Sequence, residues 1–198
     1  MDPTTGLFNR FELQLAAENF IRTKMPFALI LIDVDDLRHI NHLYGRAFGD
    51  DVLRHAAQRI AALCPEEYQL FRMEGDMFGM LLPSVGAAEV RSLFSSIRQT
   101  FRHQQEVDDI KYYCSLSAGC CLYPRDAASF PDLLRYADYA LTEAKGQGKH
   151  SLSFFSAGLL QHSLRSLQLT QLLREGIENG FQGFHLVYQP SSAPATGG

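Results

Sequence analysis

The stretch that decides the fold is Phe71-Arg-Met-Glu-Gly-Asp-Met-Phe-Gly-Met-Leu-Leu82. Apolar side chains alternate with other residues on both sides of Gly75, which is the pattern of two adjacent strands. Gly75 stands where a tight hairpin turn requires a positive φ and no Cβ. The stretch therefore predicts a β-hairpin whose tip carries two carboxylates, Glu74 and Asp76.

A second acidic cluster follows the most apolar run of the chain. Residues 27–32 are continuously apolar, which predicts a central strand covered on both faces, and Asp33-Val-Asp-Asp36 comes directly after it. If a strand of the hairpin pairs with residues 27–32, Asp33 and Asp76 meet at one edge of the sheet. Carboxylates in such a position are the hard oxygen ligands that Mg²⁺ prefers. A solvated strand end and a helix cap remain the alternative interpretation of the cluster.

The rest of the chain alternates between helical and extended patterns. A hairpin within such an alternation predicts an α/β (α+β) fold, with a mixed central β-sheet and flanking helices. The predicted helices cover residues 7–23, 49–63, 87–104 and 130–146, and the predicted strands cover residues 27–32, 68–82 (the hairpin), 112–122 and 152–155. In the first helix, Phe8, Phe11, Leu15, Phe20 and Ile21 are expected to face the core.

Composition excludes several classes of function. The chain has 198 residues, is 46% hydrophobic and carries a net charge of −4 without a basic run, which argues against a nucleic-acid partner. The longest strongly apolar run, residues 27–32, is too short to span a membrane, and no signal peptide is visible. Four cysteines without a Cys-x-x-Cys motif are typical of buried thiols in a reducing compartment. We therefore expect a cytoplasmic protein.

The pattern changes near the end of the chain. Residues 159–180 read as one long helix, and Phe184-His-Leu-Val-Tyr-Gln-Pro190 reads as the beginning of a strand with no later partner. Residues 191–198 are small and polar, as in a disordered or vector-derived tail. The predicted organisation is a domain over 1–157, a linker helix with the truncated start of a second domain over 158–190, and a tail over 191–198.

Four motifs resemble one known family across Asp2 to Phe155. In order and spacing they are similar to the signatures of GGDEF domains, the family of diguanylate cyclases. They are Asp2-Pro-Thr-Thr-Gly-Leu-Phe-Asn-Arg10, Asp33-x-Asp35-x-Leu37-Arg38-x-Ile40-Asn41-x-x-x-Gly45-x-x-x-Gly49-Asp50-x-x-Leu53, Ser117-Ala-Gly119 and Ala137-Asp-x-Ala-Leu141-x-x-Ala-Lys145-x-x-Gly148-Lys149. Residues 167–190, including Tyr188-Gln-Pro190, resemble the start of an EAL domain, the cyclic di-GMP phosphodiesterase module of bacterial signalling proteins.

The resemblance implies a reaction and a metal. GGDEF domains share a fold like that of nucleotide cyclases and polymerase palms, and a dimer joins two GTP molecules into cyclic di-GMP. The 3′-hydroxyl of one GTP attacks the α-phosphate of the other, with Mg²⁺ (or Mn²⁺) bound. By motif, Asp33, the Val34 carbonyl and Asp76 resemble the metal ligands, and Asp76 is the candidate catalytic residue.

The resemblance also implies a nucleotide site. Asn41 and Asp50 match the residues that hydrogen-bond guanine. By motif, the phosphates would be contacted by Leu37 and Arg38, the backbone at Gly75, Lys145 and Lys149. Lys149 replaces the arginine that is usual at its position. Each of these residues alone has a simpler explanation as a cap or a solvated helix end.

The signature itself departs from the family pattern, since it reads Glu74-Gly75-Asp76-Met77-Phe78. Met77 replaces an acidic residue near the metals, and a thioether is a poor ligand for Mg²⁺. Glu74 replaces a glycine and adds bulk and negative charge beside a triphosphate. We therefore expect a degenerate domain that binds GTP and Mg²⁺, makes little or no cyclic di-GMP, and regulates a downstream EAL phosphodiesterase. The alternatives are an active diguanylate cyclase and a dimerisation or docking domain that binds no nucleotide.

Overall fold

In the computed structural model of the chain, residues 1–179 are described. The helices are Arg10–Arg22 (α1), Leu37–Tyr44 (α2), Arg46–Ala61 (α3), Ala87–Thr100 (α4), Phe130–Gly146 (α5) and Ala157–Glu178 (α6). The strands are Phe27–Val34 (β1), Gln69–Arg72 (β2), Met77–Pro83 (β3), Gln105–Val107 (β4), Ile110–Tyr112 (β5), Leu116–Tyr123 (β6) and Leu152–Phe154 (β7). The predicted strand 184–190 and tail 191–198 lie outside the described residues.

A five-stranded sheet in the order β2-β3-β1-β6-β7 forms the centre of the fold. All neighbours are antiparallel except β6 and β7, which are parallel, so the sheet is mixed as predicted. All eight residues of β1 are buried, which explains why its sequence is continuously apolar up to Asp33. The predicted pairing of the hairpin with β1 is confirmed, and its register places Asp33 opposite Met77.

Helices cover both faces of the sheet. One face packs Ile30 and Ile32 against α2, α3 and α4. The other packs Leu29 and Leu31 against α1 and α5. Each fully buried leucine or isoleucine stabilises the fold by roughly 1.5–3 kcal/mol relative to an exposed one. The confirmed α/β architecture thus follows from the alternation of side chains along β1.

The inward face predicted for α1 was partly wrong, because Phe20 and Ile21 pack against the core as expected but the other three residues are exposed. Leu13 and Ala17 are buried, whereas Phe8, Phe11 and Leu15 are 54%, 65% and 50% exposed. The helix also begins at Arg10 and not at residue 7, because the Asn9 side chain accepts hydrogen bonds from the first turn in a capping box. The start of α1 is therefore set by this cap, and not by the aromatic spacing.

Two further segments differ from the prediction. The helix predicted over 49–63 is present as α3, which begins earlier, at Arg46, and α2 before it was not predicted. Gly45, whose φ is +88°, separates the two helices. The strand predicted over 112–122 is shorter, and it is preceded by a separate β4–β5 hairpin. Asp108 and Asp109, both with positive φ, form the turn of that hairpin. Because β4 starts at Gln105, α4 ends at Thr100.

The chain divides into two compact units, Met1–Leu160 and Gln161–Gly198. The first contains the whole sheet. Among the described helices, none is both long and apolar enough to cross a lipid bilayer.

Candidate functional site

The tip of the hairpin is tied to the end of β1. Gly75 has a φ of +70°, as predicted for the turn. The carbonyl of Asp76 accepts a hydrogen bond of 3.0 Å from the N–H of Val34. This bond holds the turn against the residue that follows Asp33, so Asp33 and Asp76 lie at the same edge of the sheet.

A buried carboxylate, a second carboxylate and one ammonium group meet at this edge. Asp33 is only 3% exposed, and its Oδ2 lies 2.7 Å from Nζ of Lys145. Burial raises the pKa of Asp33 to about 6; the hydrogen bond from Lys145 opposes this rise, and the charge of Asp76 adds to it. Two acids and one cation leave negative charge to be compensated, by a proton or by a metal ion.

The donor set fits a hard divalent cation. Two carboxylates and a neighbouring backbone carbonyl, that of Val34, are oxygen ligands of the kind that Mg²⁺ and Mn²⁺ accept. Within residues 1–179, no three His, Cys, Asp or Glu side chains are grouped to hold a metal ion. An ion bound to Asp33 and Asp76 would therefore complete its coordination with backbone, water or substrate oxygens.

The position of Lys145 depends on a close approach between α5 and β6. A Cβ added to Gly119 of β6 would come within 3.0 Å of the Ala137 carbonyl oxygen and of the Leu141 backbone. Gly119 therefore lets α5 lie directly on the strand, and the last turn of α5 then carries Lys145 to Asp33. Within the Ser117-Ala-Gly119 motif, Gly119 therefore acts through packing.

The other predicted lysine is paired one residue beyond the acidic strand end. Lys149 Nζ lies 2.7 Å from Oδ1 of Asp36, and both groups are exposed. Asp36 occupies the N-cap position of α2 in a left-handed conformation and makes no side-chain capping bond. The first amides of α2, at Leu37 and Arg38, are therefore not satisfied by the cap.

Asp35 was not among the predicted site residues, yet it organises this edge. Its carboxylate accepts hydrogen bonds from Ser115 Oγ at 2.6 Å and from Ser117 Oγ at 2.8 Å. It also accepts one from the His150 N–H at 3.3 Å. The carboxylate thus joins β1, β6 and the loop after α5. The spacing of a second aspartate two residues after Asp33 was the available signal, because side chains two apart in a strand share one face.

Arg72 was also missed, since the sequence showed it only as the polar residue between Phe71 and Met73. It is buried, and its Nη1 donates a hydrogen bond of 2.6 Å to the Met77 carbonyl. Its Nη2 donates to the carbonyl of Gly75. A guanidinium that donates to two carbonyls of one turn fixes the shape of that turn.

The predicted guanine-binding residues lie on α2 and α3. Asn41 is on α2, and its Oδ1 is buried with no hydrogen-bond partner among the described residues. A Cβ on Gly49 would overlap this amide, so Gly49 makes room for Asn41 between the two helices. Asp50 follows on α3 with an exposed side chain. Burial lowers the pKa of Arg72, and the charge of Asp50 opposes that change. Asp50 therefore lies on the same side of the domain as the signature turn.

The two residues that depart from the signature, Glu74 and Met77, lie toward α1 and α5. The Glu74 side chain is 86% exposed, and its Oε1 lies 3.9 Å from Nη1 of Arg10 on α1. Met77 lines a groove of about 460 Å³ between α1 and α5, together with Leu31 and Met73. The Glu74 carboxylate is thus engaged toward α1, and the side chain opposite Asp33 in the sheet is a thioether.

Comparisons with known proteins agree with this architecture. The family model for "Diguanylate cyclase, GGDEF domain" matches residues 1–151. The solved GGDEF domain of YfiN (TpbB) from Pseudomonas aeruginosa is 29% identical, with a TM-score of 0.75, and the match covers 82% of this chain and 98% of that one. The fold of residues 1–151 of this chain is therefore that of a GGDEF domain.

Two curated relatives are larger proteins of cyclic di-GMP signalling. The bifunctional diguanylate cyclase/cyclic di-GMP phosphodiesterase MucR of P. aeruginosa is 30% identical over 193 residues, covering 96% of this chain and 28% of MucR. The cyclic di-GMP phosphodiesterase PdeR of Escherichia coli is 28% identical over 191 residues, covering 96% of this chain and 29% of PdeR. This chain spans less than a third of the length of these relatives. Because the family model covers 151 of the 198 residues, the chain belongs to the GGDEF domain family of cyclic di-GMP signalling proteins.

Proposed function

We propose that this GGDEF domain binds GTP with Mg²⁺ (or Mn²⁺) as a cytoplasmic regulatory module for a downstream EAL phosphodiesterase, and makes little or no cyclic di-GMP. The observation that carries the proposal is the contrast at the sheet edge. Asp33, Asp76 and Lys145 are assembled around one point, while Met77 stands opposite Asp33 and the Glu74 carboxylate is turned toward Arg10.

Binding is supported by groups that lack side-chain partners among residues 1–179. The N-terminus of α2 presents the amides of Leu37 and Arg38 without a side-chain cap, and such helix ends attract phosphate. The unpartnered Oδ1 of Asn41 is an acceptor available to guanine. Lys145 lies at the same edge and can supply positive charge to the terminal phosphates.

Weak turnover follows from the chemistry of the reactive corner. A divalent ion there would neutralise phosphate charge and make the attacking 3′-hydroxyl more acidic. Asp33 and Asp76 would hold that ion, but Met77 offers no hard oxygen where the family has an acid. Glu74 gives the turn a side chain where the family has glycine, and productive attack needs the turn to hold the reacting atoms at about 3–3.5 Å. These changes impair positioning more than binding.

Calorimetric titration of the chain with GTP and Mg²⁺ tests the binding step. We expect saturable heat, and we expect it to weaken in Asn41→Ala and Asp50→Ala while Arg22→Gln, on the far end of α1, retains it. No heat and no thermal shift at millimolar GTP would contradict the proposal.

Chromatographic detection of cyclic di-GMP tests the missing chemistry. The double variant Glu74→Gly/Met77→Glu should raise product formation above that of the unchanged chain. Glu74→Gly/Met77→Gln is the matched control, because it has nearly the same shape as the first variant without the added charge. A healthy rate in the unchanged chain would instead favour an active diguanylate cyclase, for which the retained Asp33–Asp76 pair is the supporting observation.

Regulation of the EAL partner requires a difference in GTP affinity between two states of the parent protein. We expect GTP to change phosphodiesterase activity of the full-length parent, and Asn41→Ala to abolish the change. A domain that only docks or dimerises would leave the parent's phosphodiesterase activity insensitive to GTP. The exposed Phe8, Phe11 and Leu15 on α1 are the observation that supports a docking role.

A further inference from the structure

A polar cavity of about 360 Å³ lies between the C-terminal half of α4 and the loop that follows α5. Its lining consists of Ser95, Arg98, Gln99, Arg102 and His150. Every one of these side chains can donate a hydrogen bond, and none is a carboxylate. The cavity therefore offers positive charge and donors to any molecule that enters it.

The two arginines have no acidic partner. Within the described residues, neither Arg98 nor Arg102 forms an ion pair, whereas Arg54, Arg125 and Arg135 each pair with an aspartate. Arg98 lies in the last turn of α4 and Arg102 lies two residues past its end, so two like charges without a carboxylate partner line one cavity. The dipole at the end of α4 offsets part of the repulsion between them, but it gives no reason for a third donor, His150, from a different element.

The loop that supplies His150 has unusual backbone geometry. Gly148, Lys149 and His150 have successive φ values of +116°, +59° and +47°, in a region that side chains rarely adopt. Two contacts hold the loop there, from Lys149 Nζ to Asp36 Oδ1 at 2.7 Å and from the His150 N–H to Asp35 Oδ2 at 3.3 Å. Such backbone strain tends to cluster at ligand sites and switch regions.

The His150 ring carries an unused polar atom. Its Nδ1 is buried and has no hydrogen-bond partner within the part of the chain that the structure describes. Burial lowers the pKa of His150; the charges of Arg98 and Arg102 lower it further, and the charge of Asp35 opposes them. An anion bound by the two arginines could accept a hydrogen bond from Nδ1–H of the ring.

We propose that this cavity is a binding site for a phosphate group, held by Arg98, Arg102 and His150. The planar guanidinium fork matches the oxygens of phosphate and can bind two of them at once. The volume is at the lower end of the range for small-molecule sites, about 300–1,000 Å³, so it suits free phosphate or a small phosphomonoester.

Phosphate binding at this site would affect the sheet edge through the loop that carries Lys149 and His150. The same loop places Lys149 against Asp36 and His150 against Asp35, so a phosphate that draws His150 toward α4 also moves Lys149. We expect phosphate to change the affinity for GTP, and GTP to change the affinity for phosphate by the same factor. This coupling rests on the proposed GTP binding, but the phosphate site itself does not.

The test is an NMR titration of the ¹⁵N-labelled chain with sodium phosphate, without GTP or Mg²⁺ and with ionic strength held constant by NaCl. We expect saturating shifts at the amides of Arg98, Gln99, Arg102 and His150. Arg98→Gln and Arg102→Gln should each weaken binding about tenfold or more, since each removes charged hydrogen bonds. Arg22→Gln, which removes the same charge at a distant exposed site, should bind as the unchanged chain does.

Several outcomes would overturn the site. These are shifts that rise linearly without saturation, shifts unchanged in both arginine variants, and shifts confined to Leu37 and Arg38. The last result would place the anion at the nucleotide site. A second titration with glycerol 3-phosphate identifies the source, because tighter binding of the ester indicates a phosphorylated metabolite and binding of inorganic phosphate alone indicates the free anion. Dispersed spectra of each variant confirm that it is folded.

Discussion

Replacing Gly119 by alanine should cost the domain a large part of its stability. The new Cβ would come within 3.0 Å of the Ala137 carbonyl oxygen and of the Leu141 backbone, and neither can rotate away because both belong to the α5 main chain. Ordinary carbon contacts lie at about 3.5–4.0 Å, so α5 would have to move by about 1 Å. Overpacking of this kind typically costs about 1–3 kcal/mol, and the rigid neighbours favour the upper end.

The assay is thermal unfolding followed by circular dichroism. For a domain of this size, about 3 kcal/mol lowers Tm by roughly 6–12 °C. Gly146→Ala is the matched control, since Gly146 ends the same helix and an added Cβ there meets nothing within 4 Å. The control should melt at or slightly above the Tm of the unchanged protein, because alanine favours helix. A Gly119→Ala protein that melts within about 2 °C of the unchanged protein would refute the close approach of α5 to β6.

Three further predictions concern the sheet edge. Because burial raises the pKa of Asp33 to about 6 from its ordinary value of 3.8, its contribution to stability is present at low pH and lost as pH rises through 6. Calorimetric melting should therefore favour Asp33→Asn over the unchanged protein increasingly from about pH 4 to pH 6, with little further change above pH 6. Arg72→Gln should lower the free energy of unfolding by about 2–4 kcal/mol in urea titrations, since two charged hydrogen bonds to the turn are lost, and Arg72→Lys should recover only part of it. Ser117→Ala should cost about 1–3 kcal/mol in the same titrations, because Asp35 loses a buried donor.

Much of the fold could be predicted because β1 is buried on both faces. A strand in that position must be continuously apolar, and residues 27–32 are. The hairpin followed from Gly75, whose positive φ the turn requires. By contrast, the orientation of α1 could not be read from its aromatic spacing, because Phe8 and Phe11 are exposed although they lie at helical intervals. Periodicity identifies an element but does not choose between two apolar faces.

The candidate site could likewise be predicted only in part. The acids at the edge could be predicted, since a strand end and a hairpin tip bring Asp33 and Asp76 together as soon as the strands pair. The roles of Arg72 and Asp35 could not, because they depend on contacts that local patterns do not contain. Asp35 meets Ser117 across 82 residues of chain, and only the completed sheet makes them neighbours.

The ion pair of Lys145 with Asp33 links the binding of a metal ion at Asp33 to the binding of a nucleotide at Lys145. Lys145 carries one positive charge, and the charge that balances Asp33 at 2.7 Å is not fully available to the end of a triphosphate. Under the proposed function, a cation that arrives at Asp33 releases Lys145 for the nucleotide, whereas a nucleotide that arrives alone strips a buried acid of its counter-charge. Each occupant thereby strengthens the hold on the other. The pocket would discriminate in favour of the magnesium–nucleotide complex over either component by itself.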